Sequence, residues 1–210
     1  MIKIYHMEGR RSERVVWLCE ELGLPYELIF KPGDVIGSWA LIREVHPMAL
    51  APTFQDGDVT ICESGAIIEY ILARYGQGRL APAVDSPEFP YYLEWLHFPE
   101  GTMANRLMNE KWLQPRPGTF MEQAYDQTMI GVTDKMLKWM DQILAEKQYI
   151  AGNDFTAADI MLPLVLNLVQ MTGTALGDYS NIPSYLDRLR SRPAFIRTLE
   201  ICQPLGPPPF

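Results

Sequence analysis

Apolar residues recur along the first part of the chain with two different periods. Residues 2–6 (Ile-Lys-Ile-Tyr-His) alternate as a half-buried strand does. Val15, Leu18, Cys19 and Leu22 then fall at i, i+3, i+4 and i+7, one face of a helix over residues 12–22, with Gly23 as its stop. Residues 26–30 read as a second strand, so the chain opens β-α-β. An irregular stretch at 31–47 carries Pro32, Gly33 and Gly37, with one short helix expected near 39–45. Two β-prone runs follow, at 53–55 and 59–61. Asp56-Gly57-Asp58 between them is a hairpin signal, because glycine accepts the positive φ of a tight turn. A helix over about 65–75 then carries Ile67, Ile68, Ile71 and Leu72, with Gly76 past its end.

The pattern changes beyond this point. Residues 77–89 have turn and linker composition, and after Pro90 no strand is predicted. Helices are expected at about 90–112, 119–146, 157–171 and 182–201, and the tail 203–210, with four prolines, reads as an extended cap or a disordered end. The expected organisation is an α/β unit at 1–78, a linker at 79–89 and an all-helical unit at 90–210. One helix start is sharply marked. Phe155-Thr156-Ala-Ala-Asp159-Ile160 puts Thr156 at N-cap and Asp159 at N3, a carboxylate form of the capping box, with Phe155 and Ile160 as a hydrophobic staple.

Composition narrows the function classes. Among 210 residues, 48% are hydrophobic and 21% charged, which suits a packed globular core. The net charge of −8 argues against a nucleic-acid partner, which needs a basic field. No apolar run reaches the ~18 residues of a membrane span, and the first residues lack the apolar core of a secretory leader. Cys19, Cys62 and Cys202 have no metal-type or disulfide-type spacing, so the expectation is a reducing, cytoplasmic setting with no metal. Cys19 and Cys62 read as small core residues.

Candidate chemistry concentrates at residues 51–65, Ala-Pro-Thr-Phe-Gln-Asp-Gly-Asp-Val-Thr-Ile-Cys-Glu-Ser-Gly. Pro52 precedes a strand and leaves backbone polar groups beside it. Glu63-Ser64 opens a helix, where unpaired N–H groups and the helix dipole hold an anion next to a carboxylate. Such an arrangement suits a small, peptide-like zwitterion. Ser64 also reads as a plain helix cap.

Taken in order, these segments resemble the cytosolic glutathione transferase superfamily over nearly the whole chain. The segments are Ser12-x-Arg14-Val15 with Glu20-Glu21-Leu22-Gly23-Leu24-Pro25-Tyr26, His46-Pro47-Met-Ala-Leu-Ala51-Pro52, Asp56-Gly57-Asp58, Glu63-Ser64-Gly65-Ala66-Ile67 and Phe155-Thr156-Ala-Ala-Asp159-Ile160. Trp95-Leu96-His97-Phe98-Pro99-Glu100-Gly101 looks like the fourth-helix signature of a bacterial and fungal subgroup. The resemblance implies a thioredoxin-like N-terminal domain, an all-α C-terminal domain, a homodimer, and glutathione as co-substrate in the cleft between domains. It further implies that Pro52 is cis, that Ala51 meets the cysteinyl part of glutathione through its backbone, that Ser64 holds the γ-glutamyl carboxylate, and that Glu63 holds the ammonium.

The chain departs from the family at two places. Ala49-Leu50 stands where the family often has Gly-Lys or Gly-Gln. In the loop His6-Met7-Glu8-Gly9-Arg10-Arg11-Ser12, the usual serine position falls near Gly9 or Arg10, so the group that stabilises the thiolate is open among Ser12, Arg10 and Tyr5. Ser12 reads equally well as a helix N-cap. A wall of Tyr92, Trp95, Phe98 and Met103 is expected to take a hydrophobic electrophile. The implied activity is transfer of the glutathione thiolate to that electrophile. Lyase, isomerase and peroxidase variants use the same thiolate, and a weakly catalytic binding scaffold is the alternative from another class.

Overall fold

The computed structural model describes residues 1–112, 117–120, 122 and 128–206. The chain packs as two units, one of residues 1–81 with 189–210 and one of residues 82–188.

The first unit is built on a sheet of β1 (Ile2–Tyr5), β2 (Tyr26–Ile29), β3 (Thr53–Asp56) and β4 (Val59–Cys62) in the order β2-β1-β3-β4. β1 and β2 run parallel, which requires a crossover, and α1 (Ser12–Leu22) supplies it. β3 pairs antiparallel with β1 on one side and with β4 on the other, the β3–β4 hairpin being closed by the Asp56-Gly57 turn, where Gly57 has φ 59°. α2 (Val35–Arg43) starts earlier than predicted because Asp34 caps it, accepting from the Gly37 N–H at 2.7 Å. α3 (Ser64–Tyr75) follows β4 directly. This is the expected thioredoxin-like arrangement. All of the predicted apolar face of α1 is buried, with Val15, Leu18 and Cys19 fully so, against Ile67, Ile68 and Ile71 of α3 and the sheet.

The predicted helix at 182–201 is two helices, α8 (Ile182–Arg190) and α9 (Pro193–Cys202). Arg192 adopts an extended conformation, φ −67° and ψ 130°, as a residue preceding proline tends to. Packing assigns α9 to the first unit, where sequence reading placed it in the helical domain. It lies along α1. Arg192 forms a two-pronged ion pair with Glu21, at 2.6 and 2.8 Å, Arg197 pairs with Glu20 at 2.9 Å, and Trp17 meets Phe195 edge-on at 4.8 Å.

The second unit contains α4 (Phe89–Phe98), a π-helical turn (Pro99–Ala104), α5 (Asn105–Trp112), α6 (Val132–Glu146), α7 (Ala157–Met171) and a 3₁₀ turn (Leu176–Asp178) before α8. The predicted 90–112 helix is therefore widened in the middle. Pro99 has no N–H for the carbonyl one turn back, so the ladder cannot continue in α register there. Part of the predicted 119–146 helix lies outside the described residues, as do tail residues 207–210. The Thr156/Asp159 capping box is formed as read. The Asp159 carboxylate also does more than cap. Fully buried, it accepts from Ile150 N–H at 3.0 Å, Thr156 N–H at 2.8 Å, Thr156 Oγ1 at 3.2 Å and Tyr185 Oη at 2.9 Å, tying three segments together.

Asp159→Ala would strand these donors in the core. Denaturant titration is expected to show a loss of about 3 kcal/mol or more, since each unmatched buried partner of a charged group costs about 1.5–3 kcal/mol.

Candidate functional site

The register of the sheet decides which loops meet. Tyr5, the last residue of β1, pairs with Thr53, the first of β3, and Thr53 pairs with Cys62, the last of β4. The segments leaving that row are the loop 6–11, Ala51-Pro52 and Glu63-Ser64, so all three emerge at one end of the sheet. Separations of about 45 and 57 positions in sequence collapse to neighbouring strands about 4.8 Å apart.

Ala51–Pro52 is a cis peptide bond. Among the described residues neither the N–H nor the C=O of Ala51 takes part in a hydrogen bond, so both are open to a ligand backbone. Two residues earlier, Ala49 has φ 50° and its carbonyl accepts from Trp39 Nε1 at 3.1 Å. The Arg43 guanidinium lies 4.8 Å from the Trp39 ring centre.

Glu63 has φ 76° and ψ 110°, a conformation that costs a non-glycine residue about 1–3 kcal/mol and persists where surrounding structure enforces it. It occupies the N-cap position of α3 without making a side-chain cap bond. Ser64 is thus the first helical residue, and the cap reading of this serine does not hold. The opening N–H groups of α3 have no intrahelical acceptor, as at any helix start. Ser64 is 3% exposed, and its hydroxyl accepts from Arg14 Nη1 at 3.2 Å. A guanidinium only donates, so the serine keeps its own proton to donate to an anion.

Arg14 was not singled out from sequence as a site residue. Its signal was available: it stands four residues before Leu18 and eight before Leu22, on the buried stripe of α1, where a charge needs a partner.

The loop 6–11 places the three thiol-activation candidates differently. Ser12 is fully buried. His6 Nε2 lies 2.9 Å from the Cys202 carbonyl, which only accepts, so Nε2 carries the ring proton. His6 Nδ1, 2.8 Å from Ser12 Oγ, must then accept the serine proton, while Met7 N–H donates to the same oxygen at 3.2 Å. The hydroxyl is committed inside the protein. Its N-cap reading fails too, because α1 begins at Ser12 with Arg11 in the cap position. Tyr5 is 7% exposed and its hydroxyl donates to Gln55 Oε1 at 3.0 Å. Arg10 is the exposed member of the three, at the entrance to α1.

In the helical unit, Tyr92, Trp95 and Met103 are 3%, 1% and 1% exposed, which corrects their reading as a substrate wall. Trp95 stacks on Trp139 at 4.7 Å and meets Phe98 edge-on at 5.2 Å. Aromatic and thioether side chains at helical spacing have simply filled the core. Phe98 and Trp139 remain partly exposed. Among the described residues no group of three or more His, Cys, Asp or Glu side chains is placed to hold a metal, and no helix is long and apolar enough to cross a membrane.

Comparison with known proteins agrees with this geometry. The model for the N-terminal domain of glutathione S-transferase matches residues 4–79, and that for the C-terminal domain matches residues 104–193. Glutathione S-transferase 3 of Schizosaccharomyces pombe is 29% identical over 207 residues, 92% of this chain and 85% of that protein. Glutathione S-transferase GstB of Escherichia coli is 29% identical over 198 residues, 90% of this chain and 92% of that one. A crystal structure of a glutathione S-transferase from Actinobacillus pleuropneumoniae superposes with a TM-score of 0.82 at 28% identity, covering 99% of this chain and 94% of that one. A Sulfitobacter glutathione transferase homologue with bound glutathione shares the fold at 19% identity, with a TM-score of 0.75, covering 96% of this chain and 98% of that one.

Burial lowers the His6 pKa from 6.5 to about 4, against the opposing pull of its bond to the Cys202 carbonyl. An unfolded chain takes up the proton below pH 6.5, but the folded one does so only near 4, so stability falls as pH drops through that window. Urea titrations are expected to lose about 3 kcal/mol across it, at 1.36 kcal/mol per unit. His6→Asn, whose side chain does not titrate, should lack that part of the slope.

Proposed function

We propose, from the premise that the chain belongs to the cytosolic glutathione transferase superfamily, that it binds glutathione at residues 51–52 and 63–64 and directs the thiolate at a hydrophobic electrophile. The observation that carries the reading is Ser64, a buried hydroxyl at the start of α3 that accepts from Arg14 and so has its proton left to give. The γ-glutamyl carboxylate is matched by that proton together with the first N–H groups of α3. The exposed carboxylate of Glu63 beside it suits the γ-glutamyl ammonium. Ala51 presents an N–H and a C=O to the cysteinyl peptide unit, as one more strand would.

Leu50, 43% exposed, has no polar group for the glycyl end. Arg43, held over Trp39 next to the Ala49 carbonyl, is our candidate for that carboxylate.

For thiol activation our candidate is Arg10, the exposed cation of the loop, whose Nη1 donates to the Gly9 carbonyl at 3.2 Å. A guanidinium at the entrance of α1 acts with the helix dipole, and both favour a thiolate over a thiol. The reaction then needs no proton from the protein. The bound thiol gives its proton to solvent, and the sulfur attacks the electrophilic carbon, forming the C–S bond as the leaving group departs with the electrons of its own bond to that carbon. Phe98 and Trp139 are the apolar surface we assign to the electrophile, and a homodimer is the expected assembly.

Titration calorimetry should detect glutathione at millimolar concentration, and no heat of binding there would sink the proposal. Ser64→Ala is expected to weaken binding by about 1–3 kcal/mol, the cost of a lost hydrogen bond to a charged group. Unchanged affinity would remove Ser64 from the site.

Ultraviolet thiolate absorbance of the complex against pH tests activation. Arg10→Ala should return the bound thiol toward the ordinary value near 8.5, with turnover recovering at higher pH, while Ser12→Ala should leave the thiol pKa where it is. Tight binding with an unshifted thiol in the native protein would favour the scaffold reading.

A further inference from the structure

The thiol-activating loop is held from the far end of the chain. Glu13 Oε1 accepts the Gly9 N–H at 2.8 Å, fixing the residue next to Arg10, and the same oxygen accepts from Gln203 Nε2 at 2.7 Å. His6, at the loop's start, donates to the carbonyl of Cys202. Two consecutive residues just where α9 ends therefore reach the two flanks of the loop, His6 at its start and Glu13 in the first turn of α1. The other side of the loop is tied by Glu8, whose Oε2 accepts the Gly33 N–H at 2.9 Å.

We propose that Gln203 is a positioning residue for catalysis: by orienting the Glu13 carboxylate, it sets the Gly9-Arg10 backbone and hence the cation that stabilises the bound thiolate. The proposal rests on Arg10 as activator. The geometry separates this role from general docking of α9. The ion pairs Arg192–Glu21 and Arg197–Glu20 and the Trp17–Phe195 contact hold α9 to the distant part of α1, whereas Cys202 bonds His6 of the loop and Gln203 bonds Glu13, the α1 residue that accepts the loop's Gly9 N–H. Burial raises the Glu13 pKa, and the bonds from Gln203 and Gly9 and the charge of Arg10 oppose that rise, so the four groups are electrostatically linked. Glutamine fits this position because its amide donates to the carboxylate without adding a charge that would compete with Arg10 for it.

The test uses the full chain with glutathione and an activated aryl chloride. Gln203→Ala is expected to raise the pKa of the bound thiol and to lower kcat at neutral pH roughly threefold to tenfold, the scale of one ordinary hydrogen bond, since Glu13 acts on Arg10 only through the Gly9 backbone. KM for glutathione should stay within about twofold, because the carboxylate and peptide contacts are elsewhere. Arg197→Ala, which loosens α9 away from the loop, should lower thermal stability and leave the thiol pKa unchanged. Circular dichroism checks that both variants fold. An unshifted thiol pKa in Gln203→Ala overturns the inference, and so does an equal shift in both variants, which would mark a general packing effect. If the native protein binds glutathione without lowering its thiol pKa, or if Arg10→Ala leaves that pKa unmoved, the parent reading fails first, and the inference with it.

Discussion

Tyr5, Thr53 and Cys62 stand in one row across three strands, and the candidate site follows from that row. Because β1 runs antiparallel to β3, and β3 to β4, the end of β1, the start of β3 and the end of β4 share one edge of the sheet. Side chains in a strand alternate, so slipping any of these pairs by one residue would exchange buried for exposed positions and carry the adjoining loop with it. Full burial of Ile4 and Phe54, which pair directly, makes such a slip costly. The stability of an apolar core thus sets the spacing of three polar loops.

Two polar segments at that edge are held in different ways. At the α3 start a strained Glu63 turns the chain and Arg14 fixes the Ser64 oxygen from α1. The loop between β1 and α1 is closely bonded: His6, Ser12, Met7, Gly9 and Glu13 bond to one another or to the C-terminal segment. Arg10, which is exposed, donates to the Gly9 carbonyl at 3.2 Å. A loop this heavily tied loses little conformational freedom on binding, which is the advantage of preorganising an electrostatic group before charge develops.

The helical unit shows how the same residue types serve two ends. Tyr92, Trp95 and Met103 looked like a ligand wall and are core, because large apolar side chains at helical spacing gain more from burial than from lining a wet surface. The Asp159 carboxylate, read as a cap, gathers four donors from three segments and is a node of that core.

Much was legible in the chain itself. Period and punctuation placed α1, the β3–β4 hairpin, α3 and α7, since hydrophobic spacing, Asp-Gly turns and capping pairs act over a few residues and are written locally. The proline-broken ends, the 99–104 widening and the 191–193 interruption, carried their signal too, in Pro99 and Pro193. The Glu63-Ser64 and Ala51-Pro52 segments stand out as a candidate binding element from their order and chemistry. What only the tertiary structure decided were long-range partnerships: Arg14 with Ser64, His6 with Ser12 and Cys202, Gln203 with Glu13, and the return of α9 to the first unit. Hydrogen bonds between distant residues leave no periodicity in a sequence. A serine's one proton can be assigned only when its neighbours are known, and that assignment makes Ser12 a structural link between the loop and His6.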